Sequence, residues 1–206
     1  MQSMENLFAI IVGIGLSAAC GFRVFVPLLA MSIAAQTGHL ELAAGFQHWM
    51  ATPTATAALG AATFFEIGSY YIPWLDNMLD TIATPAAIIA GTLVTVSVMP
   101  EMPPFIKWSI STIAGGGTAG AVQGLTVLTR AASAATTGGL GNPAVSTVEA
   151  GSSILLSLLA LLVPVLGLIL VVFLLRWAIR KIYRFFKKDK PSPPPPGKIE
   201  QYPGKR

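Results

Sequence analysis

Hydrophobic positions along the chain fall into five long stretches separated by short breaks. They run from Leu7 to about Ala35, Thr54 to Tyr71, Ala83 to Met99, Phe105 to about Ala135, and Val145 to about Leu175. The breaks are Pro53, Pro73, Pro100-Glu101-Met102-Pro103-Pro104 and Gly138-Gly139-Leu140-Gly141-Asn142-Pro143. Proline opens a helix or forces a turn, and Gly-Asn-Pro is a strong loop signal. No stretch alternates with a period of two, and hydrocarbon admits only helices or closed barrels. The pattern predicts an all-α, polytopic transmembrane helical bundle of about five spans, each taking roughly 20 residues. The first and fourth stretches are too long for one upright span. They are expected to be tilted, broken or re-entrant, with breaks at Gly21 and Pro27 in the first and Gly115-Gly116-Gly117 in the fourth.

Composition agrees. Hydrophobic residues make up 53% of the 206 positions and charged residues 11%, against roughly 25% charged in a soluble domain. Mean hydropathy is +0.68. A soluble enzyme, a disordered hub and a disulfide scaffold are excluded. Cys20 is the single cysteine, which rules out an internal disulfide and a cysteine metal cluster. The N-terminus lacks the positive region of a cleavable signal peptide. Trp49, Trp74, Trp108 and Trp177 each adjoin a predicted span end, where amphipathic rings prefer to sit.

The net charge of +4 is unevenly distributed. Residues 1–175 hold three basic and seven acidic side chains, whereas residues 176–206 hold ten basic and two acidic. This division predicts a transmembrane domain over 1–175, a basic juxtamembrane helix end over 176–190 and a proline-rich disordered tail over 191–206. Cations interleaved with Trp177, Ile179, Tyr183 and Phe185 suit a helix end at an anionic leaflet, and argue against nucleic-acid binding. The lipid bilayer, and anionic lipid headgroups at this basic segment, are the expected partners. The positive-inside rule then predicts a multi-pass protein of a bacterial inner membrane with a cytoplasmic C-terminus. Five spans place Lys107 on that same side and Asp76–Asp80 outside.

An internal repeat runs through the chain. A shift of 100 aligns Ala34-Ala35-Gln36-Thr37-Gly38-His39-Leu40 with Ala134-Ala135-Thr136-Thr137-Gly138-Gly139-Leu140, identical at five of seven positions. A shift of 83 aligns Phe65-Glu66-Ile67-Gly68-Ser69 with Val148-Glu149-Ala150-Gly151-Ser152. Repeat 1 covers about 7–99 and repeat 2 about 105–175. With three spans in the first, the second enters the membrane upside down, as inverted repeats of many transporters do.

Candidate chemistry lies in the rare charges. Glu66 and Glu149 fall in apolar runs, where a carboxylate costs at least about 2.5–3.5 kcal/mol at a helix centre. Arg23 and Arg130 lie in the first and fourth stretches. One account has each arginine pair with one glutamate as a structural tie. The other makes these residues a pathway for a proton, cation or charged solute. Asp76 and Asp80 share a helical face, and Glu66 returns to within roughly 80° of Asp76 on a straight helix. Ser69 and Asn77 add oxygens of the kind Mg²⁺ or Ca²⁺ takes. His39 and His48 match no zinc spacing and are read as surface residues. No hydrolase, metalloprotease or phosphate-loop motif occurs, so the protein is read as a non-enzyme, and no cofactor is implied. Stripes of small residues such as Gly13, Gly15, Ala18, Ala19 and Gly21 allow close helix packing or a homo-oligomer.

Gly21-Phe22-Arg23-Val24-Phe25-Val26-Pro27-Leu28-Leu29, Glu66 with Ile72-Pro73-x-x-Asp76-x-x-x-Asp80, and Pro85 opening the next helix resemble a family of bacterial membrane proteins catalogued as domain of unknown function 4126. The resemblance covers about residues 10–175 and implies a fold but no established activity. Relatives tend to carry an acid and a base where this chain has Tyr70 and Tyr71, and arginine where it has Thr84. The expected function is a channel or transporter for a proton, cation or small solute using intramembrane carboxylates. The alternative is a non-catalytic scaffold or accessory subunit of a membrane complex.

Overall fold

The computed structural model describes residues 2–187. It is helical throughout, with no strand among the described residues. The elements are α1 (Gln2–Cys20), α2 (Phe25–Gln36), α3 (Ala44–Met50), α4 (Pro53–Ser69), α5 (Pro73–Val98), α6 (Pro104–Ile110), a π-helical segment (Ser111–Gly116), α7 (Gly117–Thr137), α8 (Asn142–Leu162) and α9 (Pro164–Lys187). Prolines stand in the opening turns of α4, α5, α6 and α8, where a missing N–H costs nothing. Thr52 adds a side-chain cap to α4 by accepting from the Ala55 N–H at 3.2 Å.

The first stretch is not one span but a hairpin. Ser17 Oγ lies 2.7 Å from Thr95 Oγ1, and Ser97, two residues on, donates to Met31 Sδ at 3.3 Å. A straight continuation would carry Met31 roughly 20 Å beyond Ser17, so α2 has doubled back along α1. The reversal occupies residues 21–24. A Cβ on Gly21 would stand 2.5 Å from Val122 Cβ and 2.6 Å from the Ala119 carbonyl oxygen. Only glycine admits this approach. The contact also fixes the depth of the tip, because Val122 is midway along the continuous α6–π–α7 rod. Ser153, midway along α8, donates to the Ala19 carbonyl at 3.0 Å. The hairpin therefore reaches about halfway into the bundle.

The fourth stretch is one rod. Its glycines lie in and beside a π-helical segment, not a break, and both joints keep right-handed helical dihedrals. Such a segment accommodates one extra residue per turn, and here it lies against Gly91 and Thr95 of α5.

The fifth stretch is two helices. Val163 leaves helical geometry (φ −139°, ψ 70°) just before Pro164, and Val171 packs in one cluster with Leu156. The chain has reversed there, and α9 runs back along α8. This corrects the expected arrangement of ends. Lys107, on α6, and the basic end of α9 lie at opposite ends of the bundle. The first turns of α5, with Asp76 and Asp80, lie at the α9 end. The proline-rich segment 191–206 is outside the described residues, as are the side chains of Trp74, Asp76, Asn77 and Asp80.

α1 is central and packs against α2, α5, α7, α8 and α9. α4 packs on α2 and α3, and none of its residues is buried. Beside an apolar core that includes Leu16, Met31, Val94 and Val122, the bundle buries polar groups and exposes large apolar ones, against the usual pattern of a water-soluble protein. Ser17, Thr95, Ser97, Ser111, Ser153, Arg23, Arg130 and Glu149 are buried, whereas Phe64, Phe65, Phe105, Ile113 and Phe173 are at least 69% exposed. Two helical segments, Thr81–Val98 and Asn142–Leu162, are long and apolar enough to cross a membrane.

Candidate functional site

The hairpin tip brings together four of the residues singled out in the sequence. Arg23 projects from the tip into the bundle and is 2% exposed. Glu149 comes from the second turn of α8, with Ser146 one turn before it on the same face. Arg130 comes from the last third of α7 and is also buried. Its Nε donates to Glu149 Oε1 at 3.1 Å, and its Nη2 donates to Glu149 Oε2 and to Ser146 Oγ. This is the two-pronged geometry in which a guanidinium holds a carboxylate most strongly. Arg23 Nη2 lies 3.2 Å from the same Oε2 and donates to the Ser146 carbonyl at 3.1 Å.

Both arginines therefore converge on Glu149, contrary to the expectation of one arginine for each glutamate. Two cations on one carboxylate leave a local positive excess, and Tyr70 helps to offset it. Its buried ring centroid lies 3.8 Å from the Arg23 guanidinium carbon and 4.4 Å from that of Arg130. The electron-rich ring face attracts each cation. Sequence reasoning missed Tyr70 as a participant. Tyr71 contacts Thr147 of α8 through its hydroxyl at 2.9 Å.

Glu66 has a different partner. Its Oε1 accepts from the Val24 N–H at 2.7 Å, and its Oε2 accepts from the Phe25 N–H at 3.0 Å. These N–H groups open α2, a helix with no cap from its own N-cap side chain. A helix N-terminus carries partial positive charge and unsatisfied donors. A carboxylate delivered from α4 supplies what the local sequence does not. Arg23 thus sits between the two glutamates, its backbone beside one and its side chain on the other. Across the four side chains, two formal positive charges meet two negative ones.

Ser69 closes α4 immediately before Tyr70. The expected oxygen cluster of Asp76, Asp80 and Asn77 falls on side chains outside the described residues. His39 and His48 are exposed. No group of three or more His, Cys, Asp or Glu side chains suited to a metal occurs among the described residues. Lys107, which the sequence offered only as a topology marker, is buried and lies 3.8 Å from the exposed Glu101.

A cavity of about 420 Å³ opens between α7, α8 and α9. Glu149 forms part of its wall, with Phe22, Leu125, Thr126 and Ser152 at the inner end and Thr129, Val145 and Trp177 further out. A second groove of about 550 Å³ lies between α2 and α8. The arrangement allows exchange of partners: a cation or proton reaching Glu149 competes with the guanidinium groups already there, and an anion competes with the carboxylate for those groups.

No curated protein and no solved structure gives a match to the chain. Residues 10–184 match the family described as a domain of unknown function (DUF4126), and the chain belongs to that family.

Proposed function

We propose that the chain is a bacterial multi-pass membrane protein that moves a proton, cation or small charged solute through a site centred on Glu149. The carrying observation is the cavity whose wall includes a carboxylate shared by two buried arginines. Intramembrane charges are costly and mark pathways by default. Exposed phenylalanines support the membrane reading, since hydrocarbon accepts an apolar surface that water penalises.

In this reading α4, α5, the α6–α7 rod, α8 and α9 make five passes of alternating direction. The α1–α2 hairpin enters and leaves on one face. α4, at roughly 25 Å, is the shortest pass. A cytoplasmic C-terminus, set by the cations of α9, puts Asp76 and Asp80 at the cytoplasmic mouth instead of outside. The first repeat has a hairpin and two passes in place of three, and α1 and the start of the α6–α7 rod run the same way; the inverted repeat finds support only in its later segments, where α2 and α7, and α4 and α8, run in opposite directions. Gly38 ends α2 and Gly138 ends α7, both with positive φ (75° and 62°), at opposite ends of the bundle. The copies differ where α1–α2 folds back and α6–α7 runs straight. A helix N-terminus and ion pairs at the tip of a discontinuous helix are the elements from which transporter sites are built.

The test is flux of protons, Na⁺ and K⁺ into liposomes containing purified protein. Wild type should conduct at least one, and Glu149→Gln should abolish that flux while Glu66→Gln retains it in part. Equal flux in wild type and Glu149→Gln refutes the site. A second reading, an accessory subunit of a membrane complex, is favoured by α4, which presents Phe64 and Phe65 outward and has no fully buried residue. Stoichiometric copurification of another membrane protein, with no flux, would select it.

A further inference from the structure

The cavity between α7, α8 and α9 has a polarity gradient that small-ion transport does not require. Apart from Thr126, Thr129, Ser152 and the Glu149 carboxylate, its wall is apolar, from Phe22 at the hairpin tip to Val145 and Trp177. Leu174 and Trp177 of α9, three residues apart, face it together. Immediately above, Lys181 Nζ stands 4.9 Å from the Trp177 ring centroid. Arg180 and Arg184 continue the same helical face and are exposed. An apolar sleeve thus ends under a cluster of three cations. An inorganic anion would use the cations but not the sleeve. A neutral lipid would use the sleeve but not the cations.

We infer that this cavity holds one acyl chain of an anionic phospholipid, whose phosphate lies against Arg180, Lys181 and Arg184. The chain end abuts Phe22, the neighbour of Arg23, so the lipid braces the tip on which the buried charge cluster is mounted. The proposal rests on membrane embedding but not on transport. Each cation near an anionic headgroup contributes about fivefold in affinity, so charge selects the headgroup while the sleeve supplies the anchorage.

Native mass spectrometry of the detergent-purified full chain tests this, with palmitoyl-oleoyl phosphatidylglycerol and phosphatidylcholine supplied in equal amounts. Wild type should retain one phosphatidylglycerol in preference to phosphatidylcholine. Arg180→Ala with Lys181→Ala should lower that preference by about 25-fold while leaving one lipid bound. Ala144→Trp and Val148→Trp place a large ring at the cavity wall from exposed positions and should remove the bound lipid, with helix content by circular dichroism unchanged. Equal retention of both lipids by wild type, or an undiminished bound phosphatidylglycerol in both tryptophan variants, overturns the proposal. Preferential retention of phosphatidylglycerol by wild type that conducts none of the tested ions would leave this site standing and refute the transport reading, whereas flux without that retention would do the reverse.

Discussion

Arg23 and Arg130 come from opposite halves of the chain and meet at a single oxygen, Oε2 of Glu149. The consequence is an asymmetry among the three residues. Losing either arginine leaves a paired carboxylate. Losing the carboxylate leaves two buried cations together beside one tyrosine ring. Stranding a buried charge costs about 3–5 kcal/mol, and here two are stranded at once. Glu149→Gln should therefore destabilise the protein by at least that amount, and Arg130→Met by less. The double variant should be more stable than Glu149→Gln alone, because one stranded cation is gone. Unfolding in mixed detergent micelles, read as a double-mutant cycle, checks the order. An Arg130→Met variant less stable than Glu149→Gln would contradict it.

Glu66 calls for a milder prediction. Its two acceptors serve backbone donors at the start of α2, and loss of an N-terminal cap costs about 0.5–2 kcal/mol. Glu66→Ala should fall in that range, and Glu66→Gln should keep one of the two hydrogen bonds. The specific signature is local. Amide exchange at Val24 and Phe25 should accelerate in Glu66→Ala while the amides of α8 around Glu149 stay protected. Uniform acceleration across both regions would assign Glu66 to the arginine cluster instead of to the helix end.

The contrast between these two glutamates explains what was legible in the sequence. The helix starts were readable because Pro53, Pro73, Pro104 and Pro143 punctuate the chain chemically. The hairpins were less so. Leu162-Val163-Pro164-Val165 lies inside an unbroken apolar run, and a reversal whose two arms face the same surroundings leaves hydropathy unchanged. Pro164 alone marks it. The cluster members Arg23, Arg130, Glu66 and Glu149 stood out because charges are rare here. Their pairing did not, since Glu66 is satisfied by backbone N–H groups that no count of side-chain charges includes. The reversal at Val163 also decides which charges share an end of the bundle, so the misplacement of Lys107 relative to α9 followed from that one unseen turn.

Tyr70 yields a graded series. Its ring face serves two guanidinium groups, and a desolvated cation–π contact is worth about 2 kcal/mol. Tyr70→Phe keeps the face, and Tyr70→Leu removes it together with some volume. The leucine variant should be the less stable by about 2 kcal/mol or more, measured by the same unfolding assay. Parity between the two would mean that the ring serves only as volume.

Two glycines, one in the α1–α2 reversal and one inside α4, should respond in opposite directions. Gly21 ends α1 against Val122 and the Ala119 carbonyl, both in the fully buried core. An added methyl has nowhere to go unless the α1–α2 tip moves away from α7. Overpacking of this kind costs about 1–3 kcal/mol, and any shift of the tip also draws Arg23 away from Glu149. Gly60 sits inside α4 with open space where its Cβ would be, so Gly60→Ala gains helix propensity of about 0.5–1 kcal/mol. Melting temperatures of Gly21→Ala and Gly60→Ala in one detergent should thus move down and up respectively. If Gly21→Ala is as stable as wild type, α1 and α7 do not meet at the tip, and the half-depth placement of the charge cluster falls with that contact.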